Sequence, residues 1–273
     1  MPAPIFLLTD FGLSDAFVGA MRAVLARDAP GAPVHDVLHT VPPQDLDAAR
    51  LQMAAVAPYL PRDAVLVVVV DPGVGTARRG LALRAERPDG GRFWAVVPDN
   101  GVGSGLLEGQ RPPYGTAARA AAAWILDRTR LPAAGPGTTF DGRDLFAPAA
   151  ALLARGDAPE RLGPSLDVAE AVRRPAPPLR RDGTSLTGRV AWIDRFGNLV
   201  SDVPAADLPP GGWTVRIAGR RLAGPAAGFG VVAPQAPVAY VGSLGTVEVA
   251  LRGGDAAAAW GVAIGAELSV TPG

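Results

Sequence analysis

The stretch that decides the fold is Val65–Arg79, VLVVVVDPGVGTARR, in which a β-branched apolar run ends abruptly in an acid, a Pro-Gly turn and two arginines. The run Val65–Val70 has the length and composition of a strand buried on both faces, as in a parallel sheet. Asp71 follows at the carboxyl end of this strand, where open α/β sheets form their ligand crevice. The tight turn therefore brings Asp71 and Arg78 together, either as a functional pair or as a surface salt bridge.

The same order of strand, acid and glycine turn occurs at the start of the chain. Pro4–Thr9 is typical of a first buried strand, and Asp10 follows it directly. Asp15–Ala26 then carries apolar residues at helical spacing, with Ser14 or Asp15 as the predicted N-cap. A later helix is predicted over Leu145–Ala154, capped near Asp144.

Strands alternate with helices over roughly the first 170 residues, which predicts an α/β domain with a largely parallel central sheet. The composition then changes at Arg173–Gly183, RRPAPPLRRDG, which is typical of a linker. We therefore predict an N-terminal α/β domain over residues 1–174, a Pro/Arg-rich linker over 175–185 and a smaller C-terminal all-β barrel over 186–273. The runs that predict the barrel strands are Thr187–Ile193, Leu199–Val203, Trp213–Ile217, Val238–Val241, Thr246–Leu251 and Glu267–Val270.

Composition narrows the functional classes. The 273 residues carry a net charge of +0, which gives no electrostatic reason to expect a nucleic-acid or membrane partner. The chain has no cysteine and two histidines, His35 and His39, which disfavours a thiolate or multi-histidine metal centre. No apolar stretch reaches the length of a membrane span or a signal peptide. The sequence predicts a cytoplasmic protein that needs no metal or other cofactor.

Five separated motifs, in this order along the chain, together resemble one known family. They are Thr9-Asp10-Phe11-Gly12 with Asp15; Asp71-Pro72-Gly73-Val74-Gly75 with Arg78; Pro98-Asp99-Asn100-Gly101; Thr139-Phe140-Asp141-Gly142-Arg143-Asp144; and Ile193-Asp194-Arg195-Phe196-Gly197-Asn198. The chain resembles the S-adenosyl-L-methionine (SAM) hydroxide adenosyltransferases, which are relatives of the bacterial fluorinase and chlorinase.

The resemblance implies an N-terminal α/β domain followed by a β-barrel, in agreement with the pattern above. It also implies nucleophilic displacement at C5′ of the adenosyl group, with SAM as the substrate and adenosine and L-methionine as the products. Members of the family are homotrimers whose sites lie between one subunit's N-terminal domain and its neighbour's C-terminal domain, so a homotrimer is expected here.

The predicted catalytic residues are Asp71, Arg78 and Asp141. In the hydrolases that the chain resembles, water or hydroxide lies between an aspartate, an arginine and a histidine, and Asp71 and Arg78 match the first two. Asp141 stands where the family has histidine, and an ionised carboxylate cannot donate a hydrogen bond. Either a proton shared between the two carboxylates partly replaces the imidazole, or Asp141 only pairs with Arg78 and the site is slow or inactive.

Three further positions match substrate contacts of the family. A carboxylate at Asp10 can accept both ribose hydroxyls, although a helix cap is the structural alternative. Asp194 and Asn198 flank Phe196 in a turn that suits the ammonium and carboxylate of methionine. The alternative for this turn is a purely structural Asx turn.

The adenine is expected to lie against the C-terminal domain. Phe229 either stacks on the base or is a simple core residue. Backbone groups near Leu251 and Gly253 are expected to contact the edge of the base, and Ser243 and Glu248 are weaker candidates.

Three functional hypotheses follow. The first is hydrolysis of SAM to adenosine and methionine. The sulfonium of SAM is a good leaving group, so this reaction requires no metal or general acid. The second, motivated by Asp141, is an impaired or non-catalytic protein that binds SAM or adenosine. The third is a SAM-dependent halogenase, which is disfavoured because the fluorinase has tyrosine where this chain has Asp71, and a carboxylate repels a halide.

Overall fold

The structure is a computed structural model that describes residues 1–107, 110–132, 135, 139–208 and 210–273. The chain divides into two compact units. The first comprises Met1–Gln110 and Gly115–Pro175, and the second comprises Arg111–Tyr114 and Ala176–Gly273.

The first unit contains a seven-stranded mixed sheet with the strand order β2-β1-β3-β5-β4-β6-β7. Its strands are β1 (Ile5–Thr9), β2 (Val34–Leu38), β3 (Val65–Val69), β4 (Gly80–Glu86), β5 (Arg92–Pro98), β6 (Arg119–Ile125) and β7 (Ser165–Leu166). The four strands β2, β1, β3 and β5 are parallel, and β4, β6 and β7 extend the sheet antiparallel. The predicted α/β fold with a parallel core is confirmed.

The described residues of this unit form three α-helices: α1 (Phe17–Asp28), α2 (Leu46–Val56) and α3 (Ala147–Ala154). Strand β3 is buried at every position and lies at the centre of the parallel core, between β1 and β5. Every residue of α3 is buried as well, because its Ala- and Leu-rich sequence is apolar on all sides. Burial on both faces explains why β3 reads as an uninterrupted apolar run.

The predicted helix caps at Ser14 or Asp15 and at Asp144 are wrong. Helix α1 begins at Phe17 and its N-cap, Ala16, makes no side-chain cap hydrogen bond, so the polar residues precede the cap. Asp144 lies inside a π-helical turn, Gly142–Phe146, that runs directly into α3, and its carboxylate pairs with Arg143 instead. Capping is seen where an aspartate stands immediately before its helix, as at Asp45 of α2.

The second unit is an antiparallel, nearly closed β-barrel, which confirms the predicted class of the C-terminal part. Its strands are β8 (Arg180–Asp182), β9 (Ser185–Ile193), β10 (Leu199–Pro204), β11 (Trp213–Ile217), β12 (Arg220–Gly224), β13 (Pro237–Val241), β14 (Thr246–Leu251) and β15 (Glu267–Pro272). The strand order is β12-β11-β15-β9-β10-β14-β13, and β12 comes back beside β13. Strand β8 pairs with β9, within the segment that the sequence predicts as a linker.

Two elements of the barrel bear on the candidate site. Strand β14 is buried at all but its last position, so the polar side chains on it are fixed by the core. Helix α4 (Ala256–Trp260), capped by the side chain of Asp255, follows β14 and packs against the turn that links β9 to β10. Among the described residues, no helix combines the length and hydropathy that crossing a membrane requires.

Candidate active site

The carboxyl end of β3 continues into a compact loop that carries Asp71 and Arg78. The Asp71 carboxylate accepts a hydrogen bond from the backbone N–H of Gly73 at 3.2 Å, and the loop closes through Thr76, whose hydroxyl donates to the Gly73 carbonyl at 2.7 Å. A side chain at Gly73 would meet Arg78 Cγ at 3.2 Å, and Gly75 has a φ of +78°. The two glycines therefore permit the turn that brings Arg78 back to the strand end.

Asp71, Arg78 and Asp141, the predicted catalytic residues, form one hydrogen-bonded cluster. Arg78 contacts Asp71 bidentately, with Nε 2.9 Å from Oδ1 and Nη2 on Oδ2, and the same Nη2 lies 2.5 Å from Asp141 Oδ2. The side chains of Asp71, Arg78 and Asp141 are 5%, 10% and 3% exposed. A buried, bidentate network of this kind is not a surface salt bridge.

The position of Arg78 refines the expectation from the sequence. Its Nη1 donates to the Arg79 carbonyl at 3.2 Å, and its guanidinium lies 5.2 Å from the ring centroid of Phe146. All three guanidinium nitrogens of Arg78 therefore contact protein acceptors. Asp71 and Asp141 line the adjacent cavity, whereas Arg78, which binds both carboxylates, does not.

A further arginine, Arg128, contacts Asp141. Its Nη2 donates to Asp141 Oδ1, the oxygen that Arg78 does not contact. Sequence reasoning missed Arg128, because a short segment of 3₁₀-helix after β6 carries it and no motif marks it.

The cavity beside this cluster has a volume of about 300 Å³ and carries a third carboxylate, Asp10. The residues that line it are Asp10, Phe11, Phe17, Pro43, Gln44, Val69, Asp71, Val74, Thr139, Phe140, Asp141 and Gly142. Asp10 and Asp71 are there because β1 and β3 are parallel neighbours whose carboxyl ends meet at one edge of the sheet. Three acids around one small cavity favour a ligand with a positive charge or with hydroxyl donors.

Asp10 is held by backbone rather than by a cationic partner. Its Oδ2 accepts the backbone N–H of Gln44 at 2.8 Å, which leaves lone pairs on both oxygens. Burial raises the pKa of the Asp10 carboxyl above its usual 3.8; the hydrogen bond from Gln44 opposes the shift, and the charge of nearby Asp71 adds to it. Asp10 does not cap α1, so the structural alternative for this residue is excluded.

His39, which the sequence did not assign to a site, fixes the loop that carries Asp10. Its Nδ1 lies 2.9 Å from the Thr9 hydroxyl, and its carbonyl accepts the Gly12 N–H at 2.7 Å. On the other side of the ring, Nε2 lies 3.0 Å from a carboxylate oxygen of Asp36. The contacts join the ends of β1 and β2.

Three aromatic rings also line the cavity. The rings of Phe11, Phe17 and Phe140 contact one another, with centroids 5.1 to 5.7 Å apart. A side chain at Gly142 would meet Phe11 and Phe140 at 3.0 Å, so the glycine of this motif allows the rings to close. The cavity therefore combines carboxylates with an aromatic, apolar lining.

The predicted substrate-binding residues of the second unit line one pocket of about 720 Å³. The pocket is lined by Asp194, Arg195, Phe196, Asn198, Phe229, Tyr240, Ser243, Glu248, Leu251, Gly253, Gly254 and Asp255. Phe196 is 74% exposed and Phe229 is 43% exposed, so Phe229 is not a simple core residue. Exposed aromatic rings at the mouth of a pocket suit stacking on a flat ligand.

The turn Asp194–Asn198 is stabilised by its own side chains. Asp194 Oδ1 accepts the backbone N–H groups of Phe196 and Asn198 at 2.8 and 2.9 Å, and Oδ2 accepts the Asn198 amide at 2.7 Å. Gly197, with φ +79°, packs so closely on Asp255 that a side chain there would lie 2.0 Å from its carboxylate. The Asx turn is therefore present, and it holds Asp194 and Asn198 rigidly against the pocket.

Tyr240 lines the same pocket, although the sequence did not predict it as a site residue. Its ring lies 5.1 Å from that of Phe229, and its hydroxyl hydrogen-bonds to Glu248 on the adjacent strand. Burial raises the pKa of the Tyr240 hydroxyl, and the charge of Glu248 raises it further. Burial likewise raises the pKa of Glu248 above 4.5, the hydrogen bond from Tyr240 opposes this shift, and Asp194 adds to it.

Within the described residues, no group of three or more acids or histidines has the arrangement of a metal site. The sequence does, however, match a known family over both units. Residues 5–163 match the SAM hydroxide adenosyltransferase N-terminal domain, and residues 188–269 match the SAM hydroxide adenosyltransferase C-terminal domain.

The chain belongs to the SAM hydroxide adenosyltransferase family. It is 43% identical over 268 residues to a Thermus thermophilus protein named (R)-S-adenosyl-L-methionine hydrolase, covering 95% of this chain and 96% of that protein. A Salinispora tropica protein of the same name is 41% identical over 100% of this chain and 99% of its own length. A structure of an uncharacterised conserved protein from Thermotoga maritima superposes with a TM-score of 0.84 at 29% identity, covering 98% and 99% of the two chains.

A fluorinase from Actinoplanes sp. is a more distant relative. It is 27% identical, over 76% of this chain and 74% of its own length. The relation to fluorinases that the motifs predict is therefore confirmed.

Proposed function

We propose that this protein hydrolyses SAM to adenosine and L-methionine. The observation that carries the proposal is the acidic cavity at the end of β3, where Asp10, Asp71 and Asp141 converge in a chain of this family. Full-length relatives that are more than 40% identical are named for the same substrate and reaction type.

The reaction forms one bond and breaks one bond at C5′. A water or hydroxide oxygen attacks C5′ from the side opposite sulfur, and the C5′–S bond breaks. The bonding electron pair leaves with sulfur, which turns the sulfonium into the neutral thioether of methionine. The remaining water proton is released to solvent or to a carboxylate of the cavity. Because the leaving group is neutral, the protein's contribution is to orient the water and to exclude bulk solvent.

Asp71 is proposed to orient the attacking water. Its carboxylate lies against the cavity and is fixed in direction by Arg78 and by the backbone of Gly73. An ionised carboxylate accepts a hydrogen bond from water, which directs a water lone pair away from the acid and towards the substrate. The role proposed for Arg78 is to hold the Asp71 carboxylate in this direction.

Asp141 is proposed to be the second acceptor for the same water, in place of the histidine that the family pattern carries. Two acceptors can bind both hydrogens of one water molecule, which fixes its orientation without a donor from the protein. The negative cavity also favours a sulfonium cation over a halide ion, and this disfavours the halogenase hypothesis.

The other contacts divide between the two units. We propose that Asp10 accepts the two ribose hydroxyls, that the turn at Asp194–Asn198 binds the amino-acid end, and that Phe229 stacks on adenine. The backbone at Leu251 and Gly253 is proposed to contact the edge of the adenine, with Ser243 and Glu248 as weaker candidates for the same base. We further propose a homotrimer in which neighbouring subunits share each site; a molar mass of one chain in light scattering would contradict this.

Product identification tests the proposed function. Purified protein in excess over SAM is expected to yield adenosine and methionine in equal amounts by liquid chromatography, with both sulfonium epimers supplied separately. Asp71→Asn is the matched control, because it preserves the shape of the side chain and removes its charge. Intact substrate after prolonged incubation of the wild type would refute the proposal.

The second candidate is a protein that binds SAM or adenosine without turnover. Its specific observation is that both oxygens of Asp141 accept hydrogen bonds from arginines, so the side chain acts here as an acceptor and not as the donor that a histidine can be. Calorimetric binding of SAM, together with the absence of products from both wild type and Asp141→His, is the result that this candidate predicts.

A further inference from the structure

The Asp141 carboxylate is held from two directions, and each oxygen has its own arginine. Arg78 Nη2 lies 2.5 Å from Oδ2, and Arg128 Nη2 contacts Oδ1. The Asp141 side chain is 3% exposed, whereas that of Arg128 is 47% exposed. Arg128 therefore reaches from the surface to a carboxylate that is otherwise enclosed, although it does not itself line the cavity.

The charges of the cluster explain why a second arginine is needed. Asp71, Asp141 and Arg78 alone carry one excess negative charge in a buried setting, and Arg128 makes the group neutral. Arg78 cannot compensate both acids equally, because Asp71 engages its Nε and Nη2 together. A buried carboxylate that lacks its cationic partner is strongly unfavourable.

We propose that Arg128 is a positioning residue for the reaction at this site. By pairing with Asp141, Arg128 leaves Arg78 bound bidentately to Asp71. Both carboxylates then stay oriented towards the attacking water. Without Arg128, Arg78 is drawn from Asp71 towards Asp141, and the orientation of the water is lost. This inference rests on the proposed hydrolysis, and it assigns to Arg128 a role that the motifs do not include.

The first test is Arg128→Gln, measured by steady-state kinetics with SAM. We expect kcat to fall about 10- to 100-fold, since misplacement of a reacting group by about 1 Å can cost about 100-fold. KM is expected to stay within about threefold, because Arg128 does not line the cavity. Arg128→Lys keeps the positive charge and is expected to recover most of the lost kcat.

Arg130→Gln is the matched control. Arg130 lies two residues further along the same short helix, is 50% exposed and pairs with Asp127 at 3.3 Å rather than with the cluster. Its substitution removes an arginine of similar exposure and should leave kcat and KM unchanged. Thermal unfolding of each variant shows whether a lost rate reflects a lost fold.

A double-mutant cycle with Asp141→Asn decides the mechanism. A neutral amide needs no counter-charge, so Arg128→Gln is expected to change kcat less than about threefold in the Asp141→Asn background. An equal loss in both backgrounds, a change confined to KM, or no loss in the wild-type background would overturn the inference while leaving hydrolysis intact. A wild type that forms no adenosine would refute the proposed function itself.

Discussion

The cavity of the first unit and the pocket of the second differ in how their polar groups are held. In the cavity, the carboxylates of Asp71 and Asp141 form ion pairs with arginines that do not line the cavity. These arginines compensate the negative charges, while the carboxylates themselves line the cavity. In the pocket, Asp194 is tied to backbone and amide N–H groups of its own turn, and Glu248 to a tyrosine. If the proposed function holds, we expect substitutions at Asp71 and Asp141 to act on the reaction step and substitutions in the pocket to act on substrate binding.

The largest expected loss of kcat follows from a substitution in the cavity of the first unit. Asp71→Asn should lower kcat about 100- to 1,000-fold, within the usual contribution of a residue that orients or deprotonates a nucleophile. KM should change little, because Asp71 is proposed to contact the water and not the substrate. A loss that falls on KM alone, measured by initial rates, would contradict the division between the two regions.

A substitution in the pocket of the second unit should raise KM and change kcat far less. Asp194→Ala removes the acceptor of three hydrogen bonds in its turn and the proposed contact to the methionine ammonium. Hydrogen bonds to a charged group are worth about 1.5–3 kcal/mol, so KM should rise about 10- to 100-fold. Asp194→Asn, which keeps one acceptor oxygen, is the milder control, and kcat at saturating SAM should fall far less than KM rises.

Gly242, which packs against the Glu248 carboxylate, allows a test of whether Glu248 takes part in binding. A side chain at Gly242 would lie 1.8 Å from Glu248 Oε1, so Gly242→Ala must displace that carboxylate. We expect a several-fold rise in KM. At Gly212, a side chain would meet only the Gly224 carbonyl at 3.6 Å, an ordinary contact, and Gly212→Ala serves as the control. Equal KM values for the two variants would exclude Glu248 from binding.

The smallest expected effect is a pH dependence from Asp10. Burial raises the pKa of its carboxyl above 3.8, so Asp10 takes up a proton at a higher pH than an ordinary aspartate does. Protonation removes an acceptor for the ribose hydroxyls, and KM should therefore rise as the pH falls towards this raised pKa. The same shift means that folding stability contributed by Asp10 declines as the pH rises through that pKa.

In Asp10→Asn, which cannot titrate, the acid limb of the KM profile should disappear. Its persistence would assign the limb to another group, and Glu248, whose pKa is also raised by burial, is the next residue to test.

The sequence predicted the parallel core and the residues at its strand ends because both follow from local rules. An uninterrupted apolar run such as β3 indicates a strand buried on both faces, and parallel strands bring their following acids, Asp10 and Asp71, to one edge. The predicted residues that line the two pockets came largely from the motifs and the resemblance to a known family. Strand β12 was not predicted, because its exposed arginines hide the period-two pattern of a strand.

Arg128 could not be predicted because its partner comes from another part of the fold. Thirteen residues separate it from Asp141, and no spacing rule links a short helix after β6 to the π-helical turn before α3. Tyr240 was missed for a similar reason, since its place beside Glu248 in the pocket depends on the pairing of β13 with β14. The cap at Asp15 was wrong because helix α1 begins two residues later than its polar residues indicate.

The most direct test of the central claim is the reaction in ¹⁸O-labelled water. If a water held by Asp71 and Asp141 attacks C5′, mass spectrometry should find one heavy oxygen in the 5′-hydroxyl of adenosine and none in methionine. Adenosine without the label, or label in methionine, would contradict attack by water at C5′ and with it the role assigned to the acidic cavity.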